Sequence, residues 1–263
     1  MKTVIRIKTQ QCCILNNPLQ REIAQIPGVF GVNADMFAGI ISVDHTNETD
    51  LEQLYKSVTN SGYELIEDEF KNRANQWDSP EKVMYAKEFV TEIKKYITFS
   101  EEDKIMDFGC GTGLVGLEIL PEVNFAVMAD TSPSMIEVLE SKLDYAQLEK
   151  IEIINGPLSL YKNKDIDKLL ALMALHHIDK LDETIDLMSK TIINEGMLII
   201  GDMLTEDGSF HAPALVPHNG FDLDELSGKI EKHGFEVLIK HPYSIQSKRD
   251  IQYHRFILIA KNK

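Results

Sequence analysis

The chain has 263 residues, 43% of them hydrophobic, and a formal net charge of −15, enough material for one large domain or an ordinary domain with a small companion. The acidic balance repels phosphate backbones and argues against a nucleic-acid partner. No apolar run approaches the roughly 18 residues needed to cross a bilayer, MKTVIRIKTQ lacks the apolar block of a signal sequence, and three cysteines, two of them adjacent, make no disulfide framework. A cytoplasmic protein with neither a membrane nor a nucleic-acid partner is expected.

Taken in order, residues 3–7 alternate as a strand, and residues 18–26 have helical spacing at Leu19, Ile23 and Ile26. Residues 29–33 and 40–44 read as a strand pair. An amphipathic helix over 50–61, with Leu51, Leu54, Tyr55 and Val58 on one face, stops at Gly62 before a short strand at 63–66. The order is βαββαβ, a small α+β domain over residues 1–67. With Pro27-Gly28-Val29 after the first helix and Ser61-Gly62-Tyr63 after the second, it resembles a heavy-metal-associated domain of the copper-chaperone type.

That family carries two cysteines three apart just after the first strand. Counting back from Gly28 puts those positions at Cys12 and Leu15, with Cys13 an extra neighbour. The resemblance therefore leaves two readings open: a soft metal or metalloid held by Cys12 and Cys13, or a retired metal site kept as a folding, docking or dimerising module.

Residues 68–75 are charged and aperiodic, so a linker is placed there, with the second domain over 76–263. Trp77 follows, read either as a lid over a pocket or as a packing anchor. A helix is predicted from Pro80 to about Tyr96, with Ser79 as its N-cap.

Residues 104–108 then read as a buried strand running straight into Gly109-Cys110-Gly111-Thr112-Gly113 and an apolar-periodic helix. Alternate glycines let the backbone turn sharply and approach a ligand closely. A second apolar strand over 125–129 ends in Asp130, about 20 residues past the first glycine, where a carboxylate suits a ribose diol. A dinucleotide fingerprint would place its third glycine on Leu114 instead.

Asp107 with Gly109, Gly111 and Gly113, followed by Asp130, resembles the first two motifs of class I S-adenosylmethionine-dependent methyltransferases. The resemblance implies an α/β fold with a seven-stranded Rossmann-like sheet closed by an antiparallel hairpin, S-adenosyl-L-methionine as donor and S-adenosyl-L-homocysteine as product. It also implies a donor site at Asp107, Gly109, Cys110, Gly111, Gly113, Asp130, Thr131, Met135, Gly156, Leu158 and Ala174. Met135 reads equally as helix core. Pro157 stands where many family members carry an acid, which leaves adenine to backbone or to Asn155.

Helices are predicted over 132–143, 181–193 and 222–233, and strands over 151–154, 167–175, 197–204, 236–243 and 253–260. The near-continuous apolar run at 167–175 marks a strand buried on both faces, and it leads into His176 and His177. Ligands of open α/β sheets bind beyond the carboxyl ends of the strands, so this pair is placed at the pocket. The connection 205–222 is long and polar, which in a compact domain points to function or disorder. Its GSFH and HNGFD segments resemble a loop that caps the acceptor pocket in some small-molecule methyltransferases. His176, His177, His211 and His218 are the candidate general bases; they could also assemble a metal site with Asn219, although their spacing is loose.

The function expected is methyl transfer to a small-molecule acceptor, with a homodimer possible. The alternatives are a metal- or metalloid-linked methyltransferase and a non-catalytic, metal-responsive binding protein.

Overall fold

The computed structural model describes residues 2–8, 18–35 and 39–263, and the chain divides into two compact units, Met1–Glu69 and Phe70–Lys263. Cys12 and Cys13 lie outside the described residues, so the expected soft-metal site is not addressed by them.

In the small unit, β1 (Lys2–Arg6), α1 (Pro18–Ile23), β2 (Val29–Asp35), β3 (Ile40–His45) and α2 (Leu51–Asn60) build a three-stranded antiparallel sheet in the order β1-β3-β2. Ile5, Ile7, Leu19, Ile23, Ile41, Val43, Leu54 and Val58 form its core. Asp50 caps α2 by accepting from the Gln53 amide at 3.1 Å. The predicted fourth strand at 63–66 is reduced to a single bridge between Ile7 and Leu65. The Lys8 amide donates to Glu64 at 2.9 Å and the Ile66 amide to Arg6 at 2.9 Å; two such bonds beside β1 fall short of a ladder.

The large unit begins with α3 (Pro80–Ile93) and β4 (Lys104–Phe108), followed by α4 (Gly116–Ile119), β5 (Phe125–Asp130), α5 (Pro133–Lys142), α6 (Tyr145–Leu148) and β6 (Ile151–Asn155). It continues with β7 (Ile166–Leu172), α7 (Leu181–Thr191), β8 (Ile192–Met203), α8 (Leu223–Lys232), β9 (Phe235–Lys248) and β10 (Ile251–Asn262). Among the described residues the seven strands run in the order β6-β5-β4-β7-β8-β10-β9; the first five are parallel to one another and β10 is antiparallel to both its neighbours.

Alternation along the strands divides the core into two layers. Met106, Val127, Leu169, Leu198 and Phe256 face one side of the sheet, and Ile105, Ala126, Leu170, Ile199 and Ile257 the other. Both faces are covered by helices, which is why these strands read as continuous apolar runs.

Among the boundaries that differ from the sequence reading, three have a local reason. The helix after the glycine turn is a single turn, followed by a 3₁₀ turn at Leu120–Glu122, because Pro121 has no amide to donate. The strand predicted to Leu175 ends at Leu172: Met173 takes a left-handed φ of 53° and leads into a 3₁₀ turn at Leu175–His177. The terminal hairpin is longer than expected, because its polar tips carry no core pattern; Arg249 and Asp250, both at positive φ, form its two-residue turn.

Candidate active site

The sheet order reverses between β4 and β7, since β5 lies on one side of β4 and β7 on the other. In open α/β sheets this is where a crevice opens beyond the carboxyl ends of the strands. Here it is a cavity of about 270 Å³, walled by the ends of β4, β5, β6 and β7, by the turn after β7 and by the loop before α8.

The glycine turn forms one wall. Gly109, Gly111 and Gly113 all have positive φ. A Cβ on Gly109 would lie 2.6 Å from the Cβ of Ala174, so the turn and the end of β7 pack closely only because Gly109 has no side chain. A Cβ on Gly111 would sit in ordinary contact, 3.6 Å from Trp77 Nε1 and 4.0 Å from Met135 Sδ, so a side chain there would intrude on the cavity that Gly111 lines.

Asp130 ends β5 in the cavity wall. Its Oδ2 accepts from the Gly111 amide at 2.7 Å and its Oδ1 from the Ser132 amide at 2.8 Å. Both oxygens thus hold the loop backbone at the cavity wall.

Asp107 is buried within the same turn, and its Oδ2 accepts from the Gly116 amide at 2.8 Å. Burial pushes its carboxyl up to about 7, against the pull of that amide and with help from Asp130. At the end of β6, Asn155 Oδ1 is buried without a hydrogen-bond partner among the described residues, next to Gly156 in the cavity wall.

Three imidazoles form the opposite wall. The ligating atoms of His176, His177 and His211 all lie within 4.8 Å of one another. His176 is 1% exposed, and its Nδ1 sits 2.8 Å from Oδ1 of Asp202, itself fully buried near the end of β8. Burial, reinforced by His176, holds His177 down to about 3; burial and the same neighbour hold His211 down to about 4. His211 arrives on the 205–222 loop, whose ends are zipped by the Thr205 amide to Phe221 at 3.2 Å and the Phe221 amide to Met203 at 2.9 Å.

Of the residues expected from sequence, Asp107, Gly109, Cys110, Gly111, Asp130, Thr131, Met135, Gly156, Ala174, His176, His177 and His211 line this cavity. Gly113, Leu158 and His218 do not. A Cβ on Gly113 would meet Leu139 at 2.6 Å, so that glycine lets the turn pack on α5. Leu158 is in the hydrophobic core. His218 donates from Nε2 to the Ile178 carbonyl at 2.9 Å, and its amide to the His176 carbonyl at 3.2 Å, which ties the loop to the histidine turn.

Sequence reasoning missed Phe70, Lys82, Tyr85 and Arg255, all in the wall. Phe70 falls in the segment expected as linker; its ring meets Trp77 edge-on at 5.4 Å and His177 at 5.8 Å. Arg255 is 1% exposed, donates to Glu88 and Ser244 at 2.7 Å each, and lies 4.0 Å over the Tyr85 ring. Its Nε and Nη1 have no partner among the described residues. The available signal was an arginine immediately before the apolar run 256–260 of β10.

The α/β fold of the large unit is similar to that of methyltransferases of known structure, and a stretch of it matches a methyltransferase family model. Residues 105–196 match the family model described as "Methyltransferase domain". The chain is 29% identical over 116 residues to an uncharacterized methyltransferase of Schizosaccharomyces pombe, covering 41% of each chain. It is 22% identical over 173 residues to a Saccharomyces cerevisiae protein named "Probable S-adenosylmethionine-dependent methyltransferase", covering 64% of this chain and 54% of that one. The chain thus spans about half the length of these relatives. Among solved structures, the methyltransferase in complex with the Haloferax volcanii Trm112 methyltransferase activator superposes with a TM-score of 0.64 at 12% identity, covering 74% of this chain and 98% of that one. Likeness at that identity concerns the fold alone.

Proposed function

We propose that the large unit binds S-adenosyl-L-methionine in the cavity beyond β4 and β5 and transfers its methyl group to a small molecule at the histidine end. The observation that carries this reading is that the Asp130 carboxylate and the Gly111 backbone line one cavity and are joined by a 2.7 Å hydrogen bond.

The residues suit the donor. Asp130 accepts from ribose hydroxyls, Asn155 offers a buried unpaired carbonyl oxygen beside the adenine position, and Asp107 is the nearby acid for the methionine ammonium. Cys110, Gly109, Thr131, Met135, Gly156 and Ala174 enclose it. The bound donor supplies a methyl group already activated by a sulfonium charge. The chain contributes alignment and exclusion of water, and orientation of this kind is worth about 7–11 kcal/mol. His177 and His211 line the histidine end and stay unprotonated at neutral pH, so no positive charge from them opposes the incoming sulfonium methyl. Arg255, with two unpaired guanidinium nitrogens, favours an acceptor that carries an anionic group.

Calorimetric titration with S-adenosyl-L-homocysteine, followed by labelled-donor assays against a metabolite panel, tests the reading. Unchanged affinity in Asp130→Ala would overturn the donor assignment. The alternative of metal- or metalloid-linked methylation through the small unit is tested by turnover with and without Cu(I) in the Cys12→Ser, Cys13→Ser double variant. Turnover insensitive to both leaves the small unit as scaffold.

A further inference from the structure

We propose that His176, His177 and His211 form a binding site for a divalent transition-metal ion of the zinc class, with one coordination position open to the cavity. The three rings come from two separate parts of the chain, the turn after β7 and the 205–222 loop, yet their centroids lie 4.2, 4.7 and 5.5 Å apart. Imidazoles bound tetrahedrally at about 2.0–2.1 Å place their nitrogens roughly 3.4 Å apart. The present spread, within 4.8 Å, closes to that by small rotations of His177 and His211, neither of which is fully buried.

Two further observations point to an ion rather than to packing alone. The Nδ1 of His211 is buried and has no hydrogen-bond partner among the described residues, an arrangement that is costly unless something occupies the lone pair or takes the proton. His176 has the second feature of metal ligands: its Nδ1 is bound by a buried carboxylate, Asp202, which fixes the ring and leaves Nε2 with its lone pair free. Asp202 also accepts from the Met203 amide at 2.8 Å, so the carboxylate cannot swing away from the ring.

Three neutral nitrogen ligands suit zinc, cobalt or nickel better than calcium or magnesium, which prefer oxygen. Three protein ligands with a fourth position exposed is the pattern of a reactive rather than a structural site. Because all three rings line the cavity, the open position faces the acceptor end, where it would take an oxygen, nitrogen or sulfur atom of the acceptor. That last role rests on the methyl-transfer reading; the metal site itself does not.

The test uses the untagged 263-residue chain carrying Cys12→Ser and Cys13→Ser, so that neither of these thiolates contributes. After chelator treatment it is titrated with Zn²⁺ alone, and bound metal is counted by mass spectrometry after gel filtration. One ion per chain is expected. Asp202→Asn should weaken binding about 10–100-fold, and His177→Ala or His211→Ala by more than that. His254→Ala, on the exposed face of β10, should bind as the parent does. Loading with Co²⁺ should give the intense visible bands of four-coordinate cobalt without thiolate charge transfer. Substoichiometric zinc, a pale six-coordinate cobalt spectrum, or unchanged affinity in His177→Ala and His211→Ala would overturn the proposal. If the alanine variants lose their circular dichroism, the cobalt spectrum of the parent decides. S-adenosyl-L-homocysteine affinity, measured on the same samples, reports the donor site separately.

Discussion

The Gly111 amide donates to Oδ2 of Asp130 at 2.7 Å, so the glycine turn after β4 and the acid that ends β5 are a single device. Asp130 holds the backbone that must approach the ligand and itself lines the same cavity. Asp130→Ala should therefore weaken S-adenosyl-L-homocysteine binding about 10–100-fold, the worth of one hydrogen bond to a charged group at about 1.5–3 kcal/mol. Asp130→Asn, which keeps one carbonyl oxygen, should fall between. Titration calorimetry reads both.

Asp107 titrates near neutrality because it is buried, at about 7. A cationic ammonium placed beside it favours the ionised form. Donor binding near pH 7 should then release a fraction of a proton. The measurement is the dependence of binding enthalpy on buffer ionisation enthalpy, and Asp107→Asn should abolish it.

Stability should carry two opposed pH slopes. Asp107 has a folded pKa above its unfolded value, so the folded chain binds more protons and stability falls as pH rises from about 4 to about 7. His177 and His211 have folded values near 3 and 4, below the ordinary 6.5, so the unfolded chain binds more protons and stability is lost as pH falls from about 6.5 toward 4. Urea midpoints measured across that window should show a steeper acid loss in Asp107→Asn and a shallower one in His177→Leu. By the same token, kcat at saturating donor should show no acid limb near pH 6.5 from these rings.

Gly109 should tolerate no side chain. Alanine there faces a left-handed conformation costing about 1–2 kcal/mol and a 2.6 Å approach to the Ala174 Cβ. A fall in Tm of several degrees is expected for Gly109→Ala. Ala174→Gly in the same chain should recover part of it, because it removes the contact but not the backbone strain. A double-mutant cycle by thermal denaturation separates the two contributions.

Much of the fold was legible without coordinates, because it is written in neighbouring residues. The order of helices and strands, the glycine turn and the acid that ends β5 all follow from spacing along the chain. The buried central strand was recognisable from its unbroken apolar run, and its end was misplaced by three residues because nothing in Met173 announces a left-handed turn. Where side chains meet across distant segments, only the tertiary structure decided. It joined His211 to His176 and His177, tied His218 to the backbone of the histidine turn, brought Phe70 and Arg255 into the cavity, and sent Leu158 into the core. Local sequence reports the conformational preference of a segment. Which groups share a cavity depends on strand order and on how the 205–222 loop is zipped at its base, and both are set by contacts between residues far apart in the chain.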